Sequence, residues 1–518
     1  MLGVDRQNRK AWLKDLPHHR GALLAAQKNA FSGMRLASTC VWILVAASLA
    51  TVSARAESPS LPPPNSTTST QKILSQDGSG LPTHWGKRDN WVAPAWYGLS
   101  IPEELKSTAE ARLGRALSSL PHVFLTVSRE DLFGAERGLY LHTMESGEDW
   151  ERPVRMEYRI TPSGPGFQID AGLRIQGGWN RRPEESPKHS FRLVFRSKYG
   201  HSKLHYPLFP EGKPAVDQLI LRAGNNHSWL HWDGKERRTA DYLRDPWMRA
   251  THAAMGYPAA RSRPVHLHLN GLYWGVYDLA ERPDSSFAAR AWGGKPDDYD
   301  SRNADKVLSG DAQAWDQLLA RVNAGVTNEV SYAAVRAELD VPAFIDFMLL
   351  NLYGANGDWD RSSNWYAARR RNPAGPWRFL VWDGERTLES PTDNRLAEED
   401  DLSPTRIFQK MRAWPAFRKE FAQRARLHLA PGSPLSSESA ALRYQRLSER
   451  LEPALFAEAV RWGDYRRSLH PYKEGPYETY TVENHWRPEV QRILKEYFPA
   501  RPGAFILQLK EAGLWDWN

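Results

Sequence analysis

The chain has 518 residues, 41% of them hydrophobic and 25% charged, and a formal net charge of +8. That basicity is concentrated at the start: residues 1 to 56 hold eight Lys/Arg against two Asp, leaving 61 basic against 59 acidic residues for the remainder. A chain so nearly balanced offers no electrostatic case for nucleic-acid binding, and its one cysteine, Cys40, excludes a disulfide framework or a cysteine-ligated metal.

In chain order, the first recognisable segment is an export leader over residues 1 to 56. Met34-Arg35 opens a positive start, Val41 to Leu49 form a short apolar core, and Ala54-Arg55-Ala56 supplies small residues at a cleavage site. Met34 is the expected true start and Glu57 the expected mature N-terminus. Cys40 would leave with the leader, and the core is too short for an ordinary membrane span. The protein is thus expected to be exported, to the periplasm, cell surface or medium, without a stable membrane span. Residues 57 to 116 follow as a linker and N-terminal extension, Ser/Pro/Thr-rich as far as about Gly80.

A folded domain is expected over 117 to 518, strand-rich to about residue 285 and helical beyond. Strand-like runs are Val123 to Val127, Val154 to Ile160, Phe167 to Ile175, Phe191 to Phe195, Leu219 to Leu221, Val265 to Leu269 and Tyr273 to Leu279. Asn270-Gly271 between the last two predicts a two-residue hairpin turn. One helix, Thr239 to Met255, interrupts this half. Helices are then expected at Trp315 to Val322, Val330 to Leu339, Val341 to Tyr353 and several places between Pro404 and Leu514. The class is α+β, in an order that suits a two-lobed fold.

Two short stretches carry the chemistry: Asn356-Gly357-Asp358-Trp359-Asp360-Arg361-Ser362-Ser363-Asn364, and Trp382-Asp383-Gly384-Glu385. An acid, a carboxamide a few residues on and a second acid after a hairpin-length gap is the arrangement with which a kinase holds its base and magnesium ions. Trp365 to Ala368 and Trp377 to Val381, joined by Asn372-Pro373-Ala374-Gly375, predict that hairpin. It would bring Asn364 back beside Asp383. The alternative is a solvated turn, since Asn, Gly and Asp are also the commonest turn formers.

These stretches, with Gly172 to Gly178 (GLRIQGG), Pro187 to Leu193 (PKHSFRL) and Asn270 to Arg282 (NGLYWGVYDLAER), resemble the CotH kinase family, the spore-coat-protein-H-like secreted atypical protein kinases. The resemblance implies a two-lobed protein-kinase-like fold, ATP with Mg2+ or Mn2+ as cofactors, and Ser/Thr hydroxyls of envelope or coat proteins as acceptors. It implies Asp358 as the catalytic acid of the loop and Asn364, Asp383 and Glu385 as metal ligands, Glu385 standing where many members have a second Asp. The longer arm of Glu385 departs from the pattern.

Lys188 lies in the strand motif, either as a mobile charge for nucleotide phosphates or as a solvent-facing strand lysine. Glu281 ends a strand where a kinase-like fold has its hinge or an ion-pair partner, or else it bridges to Arg282. Gly177-Gly178 is a weak substitute for a Gly-rich phosphate loop. His227, His231 and Asp233 lack the glutamate of a zinc-protease helix, and His266 and His268 share a strand face as ligands or as structural imidazoles. With 22 tryptophans in all, Trp179, Trp229 and Trp232 are the surface candidates. Two further functions stay open: a non-catalytic surface or coat-assembly protein with a kinase-like fold, and a carbohydrate-binding envelope protein.

Overall fold

Period-two alternation decides the first half of the chain. The computed structural model describes residues 69–88, 91–209, 215–360 and 364–516, all within one compact unit, Pro59–Asn518. The leader, its cleavage site and Arg361 to Ser363 lie outside the described residues. Seven strands close into a barrel: β1 (His122–Val127), β2 (Arg152–Arg159), β3 (Gly166–Gln176), β4 (Ser190–Val194), β5 (Gln218–Arg222), β6 (Ser262–Leu269) and β7 (Leu272–Glu281). Their order is β6-β7-β5-β4-β3-β2-β1, and β1 meets β6 in parallel to complete the ring.

Leu173, Ile175, Phe191, Leu193, Leu219 and Leu221 point inward and are buried in the barrel core. Residues alternating with them along the strands, Arg174, Arg192 and Arg222 among them, therefore face outward. The Asn270-Gly271 turn forms as expected, with φ of 50° and 83°, values that suit Asn and Gly. All seven expected strands are present.

The expected helix Thr239 to Met255 is shorter, α1 (Arg244–Ala254). Tyr242 takes φ of 61°, a left-handed conformation that a helix cannot contain, while Asp241 accepts the Leu243 amide at 3.0 Å. Structure also begins well before Leu117. A helix over Lys106–Leu117 buries Leu113, Ala116 and Leu117 beside Tyr273 and Val460, and Trp85 is buried among Tyr97, Tyr140, Trp274 and Trp462. Single large aromatics anchor the part around Trp85 without a hydrophobic period, whereas Ala109, Leu113, Ala116 and Leu117 do carry a helical period, which the expected boundary at residue 117 overlooked.

The second half packs a larger apolar core around α2 (Val341–Tyr353). Every residue of α2 except Pro342 is buried, as expected of a helix that is apolar on all sides. Against it lies a four-stranded sheet in the order β9-β8-β10-β11: β8 (Tyr299–Asn303), β9 (Lys306–Ser309), β10 (Trp365–Arg370) and β11 (Arg378–Val381). The expected hairpin is β10–β11. Strand β8 has no sequence signal, because Tyr-Asp-Ser-Arg-Asn is polar. It is nonetheless buried, with Asp300 facing Arg369 and Arg371 at 3.5 Å each.

Candidate functional site

Antiparallel pairing of Trp365 with Val381 places Asn364 and Asp383 at the same end of the β10–β11 hairpin. The chain leaves α2 through Gly354 and Ala355, the latter at φ of 51°, and enters the Asp358 loop. Asn356 is buried there, donating to Asn351 Oδ1 at 3.2 Å and accepting from the Asp358 amide at 3.3 Å. The amide of Asn364 donates to the Asp358 carbonyl.

Two backbone bonds then tie this loop to the segment after Asp383: Gly357 N–H to Arg386 O at 2.8 Å, and Leu388 N–H to Gly354 O at 3.0 Å. The Asp358 loop, Asn364 and the segment after Asp383 are thus drawn together from two stretches of chain.

Asp383 itself is left-handed, at φ 61° and ψ 44°, a conformation that costs a non-glycine residue energy and calls for support. The support comes from the next two residues. Gly384 donates to Asp245 Oδ1 at 3.0 Å, and a Cβ on it would meet Met248 Cγ at 2.6 Å, so only glycine lets the loop lie this close to α1. Glu385 accepts from the amides of Asn225 and Asn226 at 3.1 and 2.9 Å.

Arg222, at the end of β5, joins these parts. Its guanidinium reaches Asp383 Oδ1 at 2.7 Å, Glu385 Oε1 at 2.8 Å and Asp245 Oδ2 at 3.2 Å, and it lies 4.7 Å above the Trp382 ring. Burial opposes its charge, yet the three carboxylates raise its pKa well above the ordinary arginine value. Burial likewise works against ionised Asp245, but Arg222 and Arg249 hold its pKa below the usual range. Glu385 goes the other way: burial, then the neighbouring Asp383 charge, push it up to about 8. Neither Arg222 nor Asp245 was singled out from the sequence. The available signal was an arginine closing the short apolar run Leu-Ile-Leu.

Three expectations need correction. Lys188 is neither mobile nor solvent-facing: it is buried, its Nζ donating to Val276 O and Glu458 Oε1 at 2.7 Å each. Burial lowers its pKa against the opposing pull of Glu458. Glu281 is a structural bridge, but to Arg261 at 2.6 Å and Arg290 at 3.3 Å rather than to Arg282. Glu385 has both carboxylate oxygens engaged by Arg222 and two backbone amides, so it braces the Asp383 loop and does not suit a metal ligand.

Asn364 and Asp383 do suit one. The Asn364 amide nitrogen is spent on Asp358, which leaves the amide oxygen. Asp383 keeps Oδ2 beside the oxygen that Arg222 holds, on a side chain 35% exposed. Two hard oxygen donors match Mg2+ or Mn2+ shared with phosphates. Among the described residues no group of three or more His, Cys, Asp or Glu forms a metal cage. His266 bonds Tyr273 and the Ala116 carbonyl, His268 bonds His122, and His227 bonds Thr239 and Arg244, all as structural imidazoles. His231 accepts from the Asp233 amide in the same loop.

Of the tryptophans kept as surface candidates, Trp229 is buried and Trp232 half-buried under Lys473. Only Trp179 is exposed, and Arg182 covers its ring at 3.5 Å.

With this geometry in view, the comparison with known families is decisive: the family described as CotH kinase protein matches residues 173–503. The chain belongs to the CotH kinase family. The matched span runs from β3 through both loops and on into the C-terminal helices. No curated protein matches the chain. Among solved structures, it is similar to the toxin–antitoxin complex of HipA, HipB and operator DNA from Shewanella oneidensis MR-1, at 12% identity and a TM-score of 0.20. That match covers 61% of this chain and 65% of the other, less than two thirds of its length, and so loose a superposition carries no argument. Among the described residues of this CotH kinase protein, no helix is long and apolar enough to cross a membrane.

Proposed function

We propose that this CotH kinase protein is an exported phosphotransferase with a two-lobed kinase-like fold, transferring the γ-phosphate of ATP to Ser/Thr hydroxyls of envelope or coat proteins. The observation that carries the reading is the stitching of the Asp358 loop to the Asp383 loop through Gly357–Arg386 and Leu388–Gly354. It gathers an acid, an amide and a second acid, the groups that phosphoryl transfer requires.

Asp358 is assigned to accept the proton of the incoming hydroxyl, as a positioned general base. Asn364 and Asp383 would hold Mg2+ or Mn2+, which when bound supplies charge neutralisation to the phosphates. Arg222 fixes the side-chain angle of Asp383, and Glu385 keeps its backbone in the left-handed conformation. Substrate orientation follows from those fixed groups, because so little covalent chemistry falls to the protein.

One observation favours the non-catalytic reading: Arg222 already neutralises Asp383. Calorimetry of the full chain with ATP and either metal, beside a phosphorylation assay on a Ser/Thr protein, decides between them. Binding and transfer are expected; no binding with either metal gives the non-catalytic protein. The export part is tested separately, by N-terminal sequencing from native cells, where Glu57 is expected and a cytoplasmic product retaining Met1 or Met34 overturns it.

A further inference from the structure

The outer wall of the barrel carries one cation whose surroundings differ from all those described above. Arg174 on β3 stands opposite Arg192 on β4, and Arg192 opposite Ile220 on β5, two residues before Arg222. Arg174 is neutralised by Glu151 at 2.8 Å. Arg222 has its three carboxylates, and Arg282 has Asp284 at 3.5 Å, with bonds to Gln218 and the Tyr366 phenol.

Arg192 has no such partner. Its Nε donates to Gln176 Oε1 at 2.8 Å, and among the described residues no carboxylate lies within ion-pairing reach and nothing accepts from its two Nη groups. Burial, then the charge of Arg282, push its pKa down to about 9 against the opposing pull of the Tyr366 phenol, with smaller contributions from Arg174 and Arg181. A half-buried guanidinium ringed by its own kind is an arrangement that an anion relieves. The planar fork fits a phosphate better than a point charge would.

Its place connects it to the site. Tyr366 lies two residues beyond Asn364 on β10, and it packs with Ile220 and Trp382 in one apolar cluster. The row Arg174–Arg192–Ile220 therefore faces the end of the hairpin that holds Asn364 and Asp383. Lys188, the residue expected to meet nucleotide phosphates, has its amine consumed inside the protein.

We propose that Arg192, braced by Gln176, binds the polyphosphate of a nucleoside triphosphate on the barrel wall opposite the Asn364–Asp383 hairpin. This rests on the phosphotransferase reading for the identity of the nucleotide, and on the geometry alone for the anion site.

The test uses inorganic tripolyphosphate in EDTA, followed by ATP with Mg2+, on the full chain and on Arg192→Met and Arg192→Lys. Wild type is expected to bind tripolyphosphate without metal, and Arg192→Met to bind it about ten- to a hundredfold more weakly, the usual reach of a charge-assisted bond. Arg192→Lys falls between. Asp383→Ala is expected to bind tripolyphosphate at least as well as wild type, since a repelling carboxylate is gone. Arg192→Met should also melt no lower than wild type without ligand, because it removes a crowded cation.

Wild type with no affinity for tripolyphosphate overturns the site, and so does either Arg192 variant with unchanged affinity. The two readings fail separately. Arg192-dependent tripolyphosphate binding in a protein that transfers nothing keeps the anion site and ends the kinase. Transfer by Arg192→Met with an unchanged KM for ATP keeps the kinase and ends the anion site.

Discussion

Lys188 and Arg222 are both cations held by carboxylates beside the same barrel, and they serve opposite ends. Lys188 is sealed: the pair with Glu458 is 1% exposed on each side, and Glu458 Oε2 also takes the Val276 amide at 2.7 Å. Nothing in that arrangement faces a ligand. Arg222 is 12% exposed and holds Asp383, whose carboxylate is 35% exposed with one oxygen left over. The first cluster satisfies every group within the protein, as a buried ion pair must if it is to offset desolvation. The second is satisfied on its inner side only. Exposure of the acid distinguishes the site from the strut.

The most severe way to break this comparison is Asp383→Ala. It is expected to abolish metal-dependent ATP binding and phosphoryl transfer, measured by calorimetry and a phosphorylation assay, while circular dichroism shows a folded protein. Residual transfer at the wild-type rate would remove Asp383 from the site.

Asp358→Asn is the next step down. Transfer should slow by roughly two to four powers of ten with ATP affinity nearly intact, since a general base acts on the hydroxyl and not on the nucleotide. An equal loss of affinity would make Asp358 a ligand and not a base.

Lys188→Met tests the other cluster. It leaves Glu458 buried without its cation, at a cost of about 3–5 kcal/mol. Urea denaturation should show this as a lower midpoint with an unchanged slope. Weaker ATP binding at unchanged stability would restore Lys188 to the phosphates.

A smaller effect concerns pH. Glu385 ionises at about 8 in the folded protein against an ordinary 4.5, so the folded state holds this proton more tightly than the unfolded chain. The resulting stabilisation is complete below the ordinary value and is lost as pH rises through 8, by at most about 1.4 kcal/mol per pH unit. Glu385→Gln stays neutral throughout and should flatten that decline in metal-free denaturation at roughly pH 5 and pH 8. Parallel profiles for the two proteins would show that another group titrates.

Least of all is expected from Trp179→Ala. Its ring is covered by Arg182, so binding of cell-wall polysaccharide should be absent in both parent and variant. A Trp179-dependent affinity in a glycan-binding assay would reopen the carbohydrate reading.

Much of this site was legible before any coordinates. The order Asp358, Asn364, Asp383 and the turn residues between the two aromatic runs specified a hairpin, and a hairpin's ends must meet. The barrel strands were legible for a similar reason, since local alternation reports which face is buried.

What local pattern could not report is which charge meets which. Lys188 finds Glu458 and Arg222 finds Asp245, Asp383 and Glu385 across 270, 23, 161 and 163 residues of chain respectively. No helix or strand period spans such separations. Glu385, expected as a metal ligand from the family resemblance, became a brace because folding brought the Asn225 and Asn226 amides to it. The sequence determined which residues can ionise and which strands hold them. Tertiary structure decided which of those charges are neutralised inside the protein and which remain open, because neutralisation depends on distance and burial, and neither is local in the chain.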